Sequence, residues 1–417
     1  MMRKVLFGAA MAAVMFLAGC GGGDEPFTPP PGNGGPPPSQ LPSPSTAPAL
    51  KASLAAKFGV VNFPIGAAIE PASTLNADAP LLLKHFSSIT AENAMKPLNI
   101  WPNMPNTAPA QPAASPNFVE ADVIANFAAA NGIRLRGHTL VWHQSAPSWL
   151  FVGDLNNSAN YHAALLQHLR TYITAVMGRY PEVYAWDVVN EAATDTPNAA
   201  NPYRTDSLWY QAYQQFAARP GGEYVIDAFR IASEVRGTLS NPGMKLMLND
   251  YNTELPGKRA NVLKIVQDVI NAGVPIDGVG HQFHLQVGAD VAQVTAAFTA
   301  VEAISTTLVN HVTELDVSIY ADPGTCYAQG TIPPCLPDYG ASPPQSVLSQ
   351  QATLYRALFN AFNRPSVQSV SLWGIADNHT WLNTYPVART NRPLLFDTAR
   401  DPKWAFWTVV DPSITVP

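Results

Sequence analysis

From Leu50 onward, strand-like and helix-like segments alternate eight times, and that alternation restricts the chain to architectures built on a parallel sheet. The β-branched and apolar runs are Phe63–Ile69, Ser88–Glu92, Arg134–Trp142, Val183–Val189, Lys245–Leu248, Gly278–His284, His311–Val317 and Val370–Ile375. Helical patterns separate them: Ala79–Phe86, Val119–Asn131, Ala159–Tyr180, Tyr224–Arg236, Lys258–Ala272, Asp290–Ser305 and Ser346–Asn363, with a last helix starting near Lys403. Eight such units predict a (β/α)8 barrel over residues 50–417. A doubly wound open sheet is the alternative, but no glycine-rich phosphate loop follows the first strand. A composition of 47% hydrophobic residues supplies the core such a barrel needs.

The barrel is preceded by two segments of other kinds. Residues 1–20 read as an export signal: Arg3-Lys4, an apolar run from Val5 to Leu17, then Leu17-Ala18-Gly19-Cys20. The last four residues resemble a bacterial lipobox, which makes Cys20 the expected lipid anchor and an ordinary signal peptide the alternative. The apolar run is too short for a transmembrane helix. Residues 21–49 hold ten prolines with glycines and serines, the composition of a solvated tether. Extended at about 3 Å per residue, it reaches at most about 90 Å. An exported outer-membrane lipoprotein on the periplasmic or cell-surface face is therefore expected. Net charge is −6, with 13% of residues charged and no basic block, which argues against a nucleic-acid partner. Cys326 and Cys335 lie close together in a Pro/Gly-rich loop and predict a disulfide in an oxidising compartment. Closing so short a loop contributes roughly 2–3 kcal/mol at best.

The chemistry concentrates at strand ends. Val183–Ala192 reads VYAWDVVNEA, a buried strand that finishes in Asn190-Glu191. A carboxylate at the C-terminal end of a barrel strand has no core to join and faces the mouth where barrel active sites lie. Glu314, in His311-Val312-Thr313-Glu314-Leu315-Asp316-Val317, is the second such carboxylate. Either glutamate alone is more simply a surface or salt-bridged residue; the pair at two strand ends points to catalysis. Asn190 and Glu191 are adjacent, so both face the site only if the strand ends between them. Strand parity puts Glu314 with Asp316, Gln282 with His284, and His138 with Trp142. His281 and His284 alternate faces, a poor chelate, so no metal is expected, and no cofactor.

These motifs resemble glycoside hydrolase family 10, the retaining endo-β-1,4-xylanases, and the similarity extends over most of residues 55–405. By that resemblance Glu191 is the acid/base and Glu314 the nucleophile, and His284 bridges Asp316 and Glu314 to fix the nucleophile's charge. Glu92-Asn93-Ala94-Met95-Lys96 matches the family's sugar-binding segment, so Glu92, Asn93 and Lys96 are expected to bind sugars on the non-reducing side, in a site that crowds out a C6 hydroxymethyl and so favours xylose. His138, Trp142, Asn190 and Gln282 are expected around the central sugar. Trp373 and Trp381 resemble the tryptophans that wall the catalytic subsite. Asn249 and Tyr251 are expected on the leaving-group side. After Trp142-His143 the family pattern of a small or polar residue followed by Gln is replaced by Gln144-Ser145. The resemblance implies a monomeric enzyme whose partner is xylan. The competing readings are a non-catalytic glycan-capture lipoprotein, which would not need both glutamates, and a barrel hydrolase of another β-1,4-glucan. Residues 99–116 and 323–345 form long loops at the same end of the barrel as the pair, with no assigned role.

Overall fold

The computed structural model describes residues 41–104, 111–327 and 335–417. The segment expected to be an export signal, Cys20 and residues 21–40 of the expected tether lie outside the described residues. Eight parallel strands form the barrel: β1 (Ile65–Ile69), β2 (Ser88–Ala91), β3 (Arg134–Gly137), β4 (Ala185–Asn190), β5 (Lys245–Asp250), β6 (Gly278–His281), β7 (Val309–Ser318) and β8 (Val367–Leu372). Each pairs with the next in sequence, and β8 pairs with β1, so the sheet closes. Helices such as Ser158–Arg179, Glu223–Arg236 and Gln345–Ala361 cover the outside and bury one face each. Closure removes the sheet edges, and every residue of β4 and β7 is buried.

Two of the sequence-based strands are broken. The segment expected as Arg134–Trp142 stops at Gly137 and resumes as a two-residue strand, Val141–Trp142, paired with β4. The segment expected as Gly278–His284 stops at His281, and His284–Gln286 resumes beside β7. The second break turns at Phe283, whose φ of 52° lies in the left-handed region. Gln282 and His284 therefore reach the site through a turn, where strand parity had assumed a continuous pleat. The sequence gives no glycine or asparagine at Phe283 to announce this.

The last tether residues already belong to the domain. Ala47 is buried, a short helical turn covers Pro44–Thr46, and an unforeseen helix, Leu50–Phe58, buries Leu50 and Leu54. Cys326 and Cys335 form a disulfide. Their sulfurs lie near Asp322 in the one cluster of metal-type donors among the described residues, but bonded sulfurs are not thiolate ligands. No helix among the described residues is long and apolar enough to cross a membrane.

Candidate active site

β4 ends at Asn190, and the next residue breaks the pleat. Glu191 still donates its backbone N–H to Asn249 O (2.8 Å), but its φ is 57°. A non-glycine residue held there costs about 1–3 kcal/mol, and such conformations gather at functional sites. The turn lets adjacent Asn190 and Glu191 serve one mouth. Trp142 Nε1 donates to Glu191 Oε2 (2.8 Å), and Gln282 Nε2 donates to Oε1 (3.2 Å). His143 stands 4.0 Å from Glu191 Oε2. Burial, with Arg204 and Lys258 nearby, lowers the His143 pKa to about 3, so its ring is neutral.

Glu314 leaves β7 and is almost wholly buried. His284 Nε2 lies 3.2 Å from its Oε2, while His284 Nδ1 lies 2.9 Å from Asp316 Oδ2. Trp381 Nε1 donates to the same Asp316 oxygen at 2.8 Å. Asn249 Nδ2 donates to Glu314 Oε1 (2.7 Å), which puts Asn249 behind Glu314 in the barrel interior. Thr313 Oγ1 donates to Asn249 Oδ1 (2.7 Å) and so fixes which end of the amide faces the carboxylate. Gly280 makes this possible, because a Cβ there would sit 2.3 Å from Asn249 Oδ1.

One amide links the two carboxylates. Asn190 Oδ1 accepts from Asn249 Nδ2 (2.8 Å) and from Gln282 Nε2 (3.1 Å). The chain of contacts runs Glu191–Gln282–Asn190–Asn249–Glu314, so both acids share one mouth although they lie far apart in sequence.

Their environments push the acids apart. Burial raises the Glu191 pKa, and the charges of Asp250 and Glu314 add to the rise against the hydrogen bonds from Trp142 and Gln282. Burial also acts upward on Glu314, but the His284 hydrogen bond and the charges of His138 and His284 outweigh it, and the pKa falls. Burial works against the His284 cation, yet Asp316 and Glu314 lift its pKa to about 10. At neutral pH Glu314 is ionised beside an imidazolium that lies between two carboxylates, and Glu191 is the acid of the pair that keeps its proton to higher pH.

His138 Nδ1 bonds Asp187 Oδ2 (2.9 Å), and Asp187 holds Arg136 through two contacts of 2.5 Å, all fully buried. Trp373 packs edge-on against His138 at 5.3 Å, and Trp381 against His284 at 5.0 Å. On another side of the mouth, Lys96 Nζ donates to Asn93 Oδ1 (2.7 Å) and sits 5.0 Å over the Trp142 ring. Asn93 Nδ2 in turn donates to Glu70 Oε1 (2.5 Å). Burial and the Glu70 charge raise the Glu92 pKa to about 7, against Lys96. Tyr251 OH accepts from Arg204 Nη2 (2.6 Å), whose Nε donates to Glu191 O (3.2 Å). Gln144 is exposed, and Ser145 Oγ accepts from Leu98 N (3.0 Å), so Ser145 ties down a loop.

Sequence reasoning missed Glu70, Arg136, Asp187 and Arg204. Glu70 carries the same signal as Glu191, a carboxylate directly after a buried strand, and could have been found. Arg136 and Asp187 are charges inside apolar strands, each a clue that the other must exist.

The comparisons agree with this geometry. The model of glycosyl hydrolase family 10 matches residues 50–412. A thermostable celloxylanase of Thermoclostridium stercorarium is 40% identical over 365 residues, covering 84% of this chain and 85% of that protein. Endo-1,4-beta-xylanase A of Halalkalibacterium halodurans is 35% identical over 369 residues, covering 84% of each. The crystal structure of xylanase B from Clostridium stercorarium F9 superposes with a TM-score of 0.73 at 38% identity, over 88% of this chain and all of that one. With its barrel closed around the linked acid pair and its family match spanning nearly all of that barrel, this chain belongs to glycosyl hydrolase family 10.

Proposed function

We propose that this chain is an endo-1,4-β-xylanase that cleaves internal bonds of xylan with retention of anomeric configuration. The observation that carries this reading is the pair of carboxylates with opposed pKa shifts, joined through Gln282, Asn190 and Asn249. Glu314 attacks the anomeric carbon while the glycosidic C–O bond breaks, and the departing oxygen takes the Glu191 proton. The glycosyl-enzyme ester neutralises Glu314, which lowers the Glu191 pKa. Glu191 then removes a proton from water, the water oxygen displaces Glu314 from the same face, and two inversions give retention. His284 and Asn249 hold Glu314 ionised and aimed, and Asp316 and Trp381 hold His284. Asn190 Oδ1 is taken by two protein donors, which leaves its N–H groups for a sugar hydroxyl. His138 and Trp373 flank that sugar. Glu92, Asn93 and Lys96 bind the sugars beyond it, and Tyr251 contributes near Glu191.

The full chain incubated with xylan should release xylooligosaccharides of several lengths, identified by chromatography and mass. Release of single xylose units alone, or no release, would contradict the reading. A relative named a celloxylanase favours a second substrate class, so carboxymethylcellulose belongs in the same assay. A non-catalytic glycan-binding role would leave both polymers intact.

The reading includes export as a lipoprotein anchored at Cys20 on the outer membrane, supported by the Leu17–Cys20 motif and the proline-rich tether. The native protein should sediment with membranes, and Cys20→Ser should release or mislocalise it. Soluble wild-type protein with an unmodified N-terminus would contradict the anchor.

A further inference from the structure

The acid at Glu191 stands on a backbone that does not hold by itself. A non-glycine residue in the left-handed region persists only where its surroundings over-determine it. Upstream, Asn249 O on the neighbouring strand fixes the Glu191 N–H. Downstream, the chain leaves the sheet at Glu191, so the carbonyls that follow have no strand to pair with and need other donors.

Those donors come from two buried basic side chains and one buried amide. Arg204 Nε donates to Glu191 O (3.2 Å), and its backbone N–H donates to Ala192 O (2.8 Å). Lys258 Nζ donates to Ala193 O (2.7 Å). Asn261 Nδ2 donates to Thr194 O and to Thr196 O, each at 2.9 Å. Lys258 and Asn261 lie three residues apart near the start of the helix Pro256–Asn271, so one helix face grips the turn.

Lys258 is the hub of these contacts. An ammonium has three N–H groups, and Lys258 has three oxygen neighbours: Ala193 O, Asp195 Oδ1 (2.9 Å) and Asp250 Oδ1 (2.9 Å). The other Asp250 oxygen accepts from Ala193 N (3.0 Å), so Ala193 is held at both its N–H and its carbonyl. Asp250 is fully buried and Lys258 is only 2% exposed. A buried ion pair contributes little net stability over apolar residues of similar volume, but apolar residues could not hold a backbone in register. Gly257 lets the helix come this close, since a Cβ there would sit 2.3 Å from Pro197 Cγ.

We infer that Lys258 is a positioning residue for proton transfer: through Ala193 and Asp250 it fixes the turn at Glu191 and so keeps that carboxyl within reach of the glycosidic oxygen. Buried as it is, Lys258 meets no sugar and acts only through Glu191. The inference rests on the endo-xylanase reading and adds what holds the acid in place.

Lys258→Met keeps most of the stem and removes the donors. The test takes kcat/KM on xylohexaose, whose leaving group needs a proton, over kcat/KM on a dinitrophenyl xylobioside, whose leaving group needs none. In Lys258→Met this ratio should fall about ten- to hundredfold, as misplacing a general acid by about 1 Å does. Asn261→Ala frees only the Thr194 and Thr196 carbonyls, and it should lower the ratio in the same direction by less. A purely structural role would reduce the amount of active enzyme and cut both constants equally. An unchanged ratio in folded Lys258→Met, or equal losses on the two substrates, would overturn the positioning role. If calorimetry shows that Lys258→Met does not fold, an unchanged ratio in Asn261→Ala overturns it instead. A wild-type chain that cleaves the aryl xylobioside but leaves xylohexaose intact would overturn the endo-xylanase reading, whereas a wild-type chain active on both leaves that reading standing whatever the variants do.

Discussion

Glu191 and Glu314 have the same side-chain chemistry, and neighbours alone shift their pKa values in opposite directions. Glu191 receives hydrogen bonds from neutral donors, Trp142 and Gln282, and otherwise meets burial and the negative charge of Asp250. Glu314 meets an imidazolium. Glu191→Ala should therefore lower kcat/KM on xylan by roughly 10²–10⁴-fold, the usual worth of a positioned acid. On a dinitrophenyl xylobioside, whose leaving group needs no proton, kcat/KM should stay within about tenfold of wild type. Equal losses on the two substrates would deny Glu191 the acid's role. Glu314→Gln should abolish both reactions, because an amide cannot attack; near-native hydrolysis of xylan by that variant would remove Glu314 from the mechanism.

At the scale of elements, the ends of the strands matter more than their interiors. β4 stops one residue before Glu191, β6 stops one residue before Gln282 and three before His284, and left-handed residues at Glu191 and Phe283 turn those groups into the mouth. Close strand approach does the rest. Gly280 on β6 leaves room for the Asn249 amide between β6 and Glu314. Gly280→Ala should displace that amide, lower kcat severalfold and lower Tm by a few degrees, as overpacking at a tight site does. Calorimetry and initial rates check this, and an unchanged kcat would deny Asn249 its positioning role. The alternation of segments and the two glutamates were legible in the sequence because both are local patterns. Contacts between elements were not. That Trp142 bonds Glu191, or that Asn249 sits behind Glu314, depends on barrel closure and register. The break at Phe283 had no turn residue to mark it, and helix Leu50–Phe58 adjoins a proline-rich tether whose composition hides it.

The whole molecule stores histidines in opposite protonation states. His284 is held as a cation, with its pKa raised to about 10. Unfolded, it titrates near 6.5. Its stabilising contribution is therefore complete below about pH 6.5 and is lost as pH rises towards 10. His85 and His281 are lowered by burial to about 4, and His143 and His311 to about 3. The unfolded chain takes up their protons below about pH 6.5 while the folded chain does not, so stability also falls as pH drops from 6.5 towards 3–4. Tm measured across this range should peak between pH 6 and 7, in line with these pKa values. In His284→Asn the alkaline fall should shrink while the acid fall remains. An alkaline limb unchanged in that variant would contradict the assigned cation.

Barrel closure brings two glutamates from distant strands to one sugar, and the most direct test asks which of them bonds to it. A 2-deoxy-2-fluoro xylobioside with a dinitrophenyl leaving group slows both steps but lets the first proceed, so the covalent intermediate accumulates. Peptic digestion and mass spectrometry should then find the fluorosugar on the peptide that contains Thr313-Glu314-Leu315, attached to Glu314. A label on Glu191 or another residue, or rapid inactivation with no covalent label, would contradict the account.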